Sequence, residues 1–134
     1  MQISVSNEQG NVAVVQLVGQ LDGQSYQDLI MKAQEVIGDG AKNILLDMSE
    51  LTYISSAGLV SLHAISMLLR GEKTPDPEQG WSTLKSMDRT RDGGMQKNLK
   101  LLNPPPQVVS VLDMVGFSEF FEVFTDKQKA IASF

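Results

Sequence analysis

The chain has 134 residues, 42 % apolar and 20 % charged, the proportions of one ordinary soluble domain with a modest core. It contains no cysteine, which excludes disulfides, thiolate catalysis and cysteine-ligated zinc, and fits a reducing, cytoplasmic compartment. A net charge of −5 leaves no excess of lysine or arginine to neutralise phosphates, so nucleic acid is not expected as a direct partner.

Met1 to Val5 lacks the charged-then-apolar layout of a signal peptide. Ile3 to Ser6 reads as a short strand, and Asn7 to Asn11 as a turn. Val12 to Val18 is rich in β-branched residues and predicts a strong second strand, so the two form a hairpin. Gly19 to Gly23 breaks it. Tyr26, Leu29, Ile30, Ala33, Val36 and Ile37 recur at helical spacing, which predicts an amphipathic helix over Gln24 to Ile37. Gly38-Asp39-Gly40 ends that helix. Ile44 to Asp47 is apolar enough for a central strand. A short polar turn follows, then the pair Tyr53-Ile54.

Ser55 and Ser56 open the next segment. Ala57, Val60, Leu62, Ile65, Met67, Leu68 and Leu69 cover more than one helical stripe, so this helix is expected to be well buried, up to Arg70-Gly71. Gly71 to Lys97 differs in composition. It holds five acidic and five basic residues, four glycines, two prolines and the single tryptophan. Stretches of that length without a periodic pattern are uncommon inside compact domains, and it reads as an insertion. Trp81, Leu84, Lys85 and Asp88 can form one or two helical turns within it.

Asn98 to Leu102 is the next strand candidate. Pro104-Pro105-Pro106 suits a helix start, Val108, Val111, Leu112 and Val115 give that helix an apolar face, and Gly116 is placed to cap it. Phe120 to Phe124 reads as a last strand. Thr125-Asp126 caps a short final helix from Lys127 to Ser133. No run reaches the roughly 18 apolar residues of a membrane span. Strands and helices alternate after the opening hairpin, which predicts an α/β fold with a mixed sheet and helices on one or both faces.

The chemistry turns on the serine pair. A hydroxyl at the first turn of a helix can be a cap, a nucleophile or a phosphate acceptor. The only histidine, His63, lies seven residues beyond Ser56, roughly 10 Å along one helix, out of reach as its base. The Gly-x-Ser-x-Gly elbow is absent, since Ile54 stands at its first position. That removes serine hydrolysis and places His63 at the rim of the buried helix face. Capping and phosphate acceptance stay open and are compatible. Asp22, Asp47 and Glu50 lack the companions of a metal site and read as turn and cap residues. No catalytic residue, metal or cofactor is expected.

Gly19-Gln20-Leu21-Asp22, Tyr53-Ile54-Ser55-Ser56-Ala57-Gly58-Leu59, Leu101-Leu102-Asn103, Val111 to Phe117 and Phe121 to Phe124 together resemble the STAS domain of anti-sigma factor antagonists. The resemblance spans nearly all of the chain except Gly71 to Lys97, as a single domain. It implies a mixed sheet flanked by about four helices, with the insertion after the second. It also implies a phosphorylatable serine at the start of the second helix, which maps to Ser56, with Ser55 as the alternative. In the family an Asp precedes the acceptor, and here Ser55 stands in its place. Asp22, Ser55, Ser56 and Gly58 are the implied partner-binding positions. The implied partners are an anti-sigma factor with serine kinase activity and a PP2C-type phosphatase, with the chain itself a monomer or homodimer. The other reading the family offers is a scaffold or transporter-associated subunit that is never phosphorylated.

Overall fold

The computed structural model describes residues 1–8, 10–71 and 96–134. The chain enters through β1 (Gln2–Glu8) and turns back into β2 (Val12–Leu21). Gly10 and Asn11 both have positive φ, 79° and 60°, which a tight reversal requires and which Gly and Asn tolerate best. α1 (Tyr26–Gly38), β3 (Asn43–Ile54) and α2 (Ser56–Leu69) follow. The C-terminal part contains β4 (Leu99–Leu102), α3 (Pro106–Met114), a 3-10 turn at Phe117–Glu119, β5 (Val123–Phe124) and α4 (Lys127–Ala132). The sheet order is β1-β2-β3-β4-β5, with β1 antiparallel to β2 and every other neighbour parallel. Among the described residues this is the mixed sheet with four flanking helices that the alternation of elements predicts.

One face of the sheet carries the main core. Val15 and Leu17 of β2 and Ile44, Leu46 and Met48 of β3 pack against the buried faces of α1, α2 and α3. On the opposite face, among the described residues, a smaller cluster forms where Val14, Leu45 and Leu102 meet Ala130 of α4. β3 lies mid-sheet, and Ile44, Leu45 and Leu46 have no exposed surface, as a central strand demands.

Several boundaries differ from the sequence expectation, each for a physical reason. β2 does not stop at Val18: Gly19, at φ 114°, absorbs a register shift and the strand continues to Leu21. β3 does not end at Asp47. It runs through the supposed polar turn to Ile54, with two register shifts against β2. The strand expected over Phe120 to Phe124 is only Val123–Phe124. Phe117, Phe120 and Phe121 form an edge-to-face cluster on the 3-10 turn instead, with the rings of Phe117 and Phe121 5.5 Å apart. His63 is not at a rim but fully packed, 4 % exposed, because α2 is buried all round from Gly58 to Ser66. The helical turns read for Trp81 to Asp88 lie outside the described residues, as does nearly all of the expected insertion.

Candidate functional site at the start of the second helix

The site is assembled where β2 and β3 end. The backbone N–H of Ser55 donates to the carbonyl of Leu21 at 2.9 Å, which ties the start of α2 to the end of β2. Asp22 is the next residue along and is half-buried. One backbone hydrogen bond therefore brings together two stretches more than thirty positions apart in sequence.

The Asp22 loop is held by its own polar groups. Ser25 is buried, its hydroxyl donating to the Gln20 carbonyl at 2.8 Å and accepting from the Asp22 N–H at 3.0 Å. Oδ1 of Asp22 accepts the Gln24 N–H at 3.0 Å. The loop thus has a fixed shape before any partner arrives, with Asp22 also presenting its backbone carbonyl to the first turn of α1. Sequence reasoning overlooked Ser25. The Asp-x-x-Ser spacing just ahead of a helical pattern was the available signal.

The two serines take different jobs. Ser55 is the N-cap of α2, with extended backbone and its Oγ accepting from the Gly58 N–H at 3.4 Å. Ser56 is the first helical residue and its side chain is exposed. First-turn N–H groups have no partner inside the helix and, with the helix dipole, favour an anion there. Capping therefore falls to Ser55, and the hydroxyl of Ser56 is left at the surface for other chemistry. The departure from the family pattern at Ser55 has a simple physical basis: Ser and Asp are about equally good N-caps, so the exchange preserves the helix start.

Gly58 is buried beneath the serines and sets how closely α2 approaches the strands. A Cβ there would lie 2.7 Å from Ile54 Cγ1 and 2.8 Å from the Leu21 carbonyl oxygen. Its role at this end of the molecule is one of position, not of exposed contact. Around the serines the surface is completed by Tyr53, 50 % exposed, and by Thr52, whose hydroxyl donates to the Gly19 carbonyl at 3.0 Å. Gln107, in the first turn of α3, reaches the Thr52 carbonyl at 3.4 Å and joins a third element to the rim. Nothing in the sequence around Gln107 signals that contact. Asp47 and Glu50 are distant in role: Oδ1 of Asp47 is occupied by the N–H and hydroxyl of Ser49, at 3.0 and 2.7 Å. Among the described residues no three carboxylate or histidine groups are placed to hold a metal. No helix among them is long and apolar enough to cross a membrane.

A family profile described as "Mlab, STAS domain" matches residues 4–75, more than half of the chain. The chain belongs to the STAS domain family. The match takes in the Asp22 loop, both serines and all of α2. Solved structures share this STAS fold along its whole length. An anti-sigma factor antagonist from Mycobacterium paratuberculosis superposes with a TM-score of 0.68 at 16 % identity, covering 98 % of this chain and 92 % of that one. The anti-sigma factor antagonist SpoIIAA in its unphosphorylated form gives 0.62 at 20 % identity, covering 97 % and 93 %. The Bacillus cell fate determinant SpoIIAA in the phosphorylated form gives 0.61 at 17 % identity, covering 98 % and 97 %. No curated protein matches the sequence significantly.

Proposed function

We propose that this STAS domain is a cytoplasmic, non-enzymatic anti-sigma factor antagonist, switched off by phosphorylation of Ser56. The observation that carries this reading is the division of labour at α2: Ser55 caps the helix while Ser56 stands exposed on its first turn. Unphosphorylated, the protein binds an anti-sigma factor with serine kinase activity through Asp22, the serine pair and the surface that Gly58 positions, and so releases a sigma factor for transcription. ATP belongs to the kinase. A phosphate on Ser56 adds nearly two negative charges at a helix N-terminus, where the dipole and free N–H groups accommodate it. The fold survives, while a partner docking over that end meets a strongly hydrated charge. A PP2C-type phosphatase reverses the mark.

The direct test is incubation with ATP and a kinase-type anti-sigma factor from the same genome, with the product mapped by mass spectrometry. Phosphate on Ser56 is the expected result, and its absence from both Ser55 and Ser56 ends the switch mechanism. Ser56→Ala should retain binding, and Ser56→Asp should weaken it at least about tenfold through like-charge or desolvation cost. Thermal denaturation should show Ser56→Asp as stable as the parent or more so by about 0.3–1 kcal/mol. Ser55→Asp restores the family's carboxylate without loss of the cap and should raise the rate of phosphorylation at Ser56.

A second reading is supported by Ser55 standing where the family has Asp. It makes the chain a STAS scaffold or transporter-associated subunit that binds constitutively through the same surface. A pull-down that returns a membrane transporter or scaffold, and no kinase, favours it.

A further inference from the structure

The two edges of the sheet are built differently. β5 has two residues and offers almost no template for another strand. β1 is an edge strand of seven residues, and its pairing with β2 runs the full length without a register shift. In an antiparallel pair, alternate residues turn their N–H and C=O away from the neighbour. Edges of this kind are ordinarily blunted by lysine, proline or a bulge. β1 has no lysine, arginine or proline, and its one charge, Glu8, stands at its end.

Beside that edge lies a cleft of about 410 Å³ between β1 and α1. Val5 and Glu8 line it from the strand, Lys32, Glu35 and Val36 from the helix, and Asp39 from the helix end. Val5 is 37 % exposed, so the cleft has an open apolar wall. Among the described lining residues Lys32 is the one cation, and its Nζ is held by Glu35 at 3.1 Å. Among the described residues neither Glu8 nor Asp39 has an ion-pair partner, so both add negative charge to the lining.

We propose that the β1 edge and this cleft form a docking site for an extended, basic segment of a partner protein. The segment adds to the sheet beside β1 and places a lysine or arginine side chain in the cleft, whose lining includes the carboxylates of Glu8, Glu35 and Asp39. Backbone bonds supply the affinity of such strand addition, and the pocket for an alternate side chain supplies its specificity. Charge selects the occupant. A second copy would bring another −5 to an acidic cleft, whereas a basic segment is attracted. The site is at the other end of β2 from the serines: Glu8 pairs with Val12, and Ser55 bonds Leu21. It does not rest on the Ser56 switch, and its failure leaves that reading untouched.

The probe is a capped, fluorescein-labelled heptapeptide, Thr-Val-Thr-Lys-Thr-Val-Thr, read by fluorescence anisotropy against the full chain. A version with Glu at the centre should bind about tenfold more weakly, since two exposed pairs change sign. N-methylation of alternate backbone nitrogens should abolish binding. Glu8→Gln with Asp39→Asn should bring the Lys and Glu peptides to within about twofold of each other. Backbone amide shifts on titration should centre on β1 and α1. Equal binding of the Lys and Glu peptides, binding by the N-methylated peptide, or no binding by the Lys peptide each overturns the proposal. So does sedimentation showing a dimer whose formation, without peptide, perturbs the β1 amides, since the occupant is then a second copy.

Discussion

Ile54 and Leu21 leave α2 no room for a side chain at position 58, because the carbonyl of Leu21 is already committed to Ser55 and cannot retreat. Gly58→Ala is therefore expected to destabilise the fold by about 1–3 kcal/mol, the usual cost of overpacking, despite the better helix propensity of alanine. Gly38→Ala is the matched control. Gly38 is also helical, nothing lies within 4 Å of its added Cβ, and it should gain about 0.5–1 kcal/mol. Urea denaturation of the two variants checks both signs. If Gly58→Ala is neutral, the close approach of α2 to the strand ends does not set the site. Ser55 shows the reverse situation at the same scale. It differs from the family residue in charge and not in capping, so the departure leaves the helix start intact.

β3 explains why an element was misread. Met48, Leu51 and Ile54 are its buried residues beyond Asp47, spaced every three positions. That period belongs neither to a regular strand nor to a helix. It arises because the register against β2 slips twice, once between Gln16 and Val18 and once between Gly19 and Gln20, and each slip adds a residue to β3. A reading based on period two ends the strand at Asp47 and takes the rest for a turn. Gly19 makes the second slip possible, with φ at 114° and its carbonyl held by Thr52. Gly19→Ala meets only ordinary contact at 3.5 Å, so its cost is conformational, about 1–3 kcal/mol. Hydrogen exchange should show the loss concentrated at Gln20, Leu21 and Ser55, where the serine site joins the sheet. A uniform loss would mean that the bulge is not a local device.

Across the whole molecule, the two sheet faces have separate clusters, and Lys100 anchors the smaller one. It lies mid-strand in β4, only 6 % exposed. Its Nζ donates to the Ser133 carbonyl at 3.1 Å and the Ser133 hydroxyl at 2.8 Å, with Glu122 at 3.4 Å. The rings of Phe134 and Phe124 flank it, with centroids at 4.8 and 5.5 Å. A cation thus meets the C-terminal end of α4, where the helix dipole is negative. Lys100→Ala should cost about 2 kcal/mol, the value of hydrogen bonds from a charged donor. Exchange protection should fall over α4 while α1 and α2 keep theirs. Loss across the main core would show that the two clusters fold as one unit.

Composition and periodicity were enough for the order of elements, the mixed sheet, the central Ile44-Leu45-Leu46 strand and the buried second helix, because burial writes itself into local apolar spacing. The serine pair was also legible at a helix start, since capping chemistry is local. Tertiary structure alone decided which serine caps and which is exposed, that Ser55 is tied to the end of β2 through the Leu21 carbonyl, that Gly58 is a spacing residue, and that His63 and Lys100 are buried. Each of those depends on a contact between segments distant in the chain, or on a bulge that shifts register. Local sequence carries no periodic trace of either.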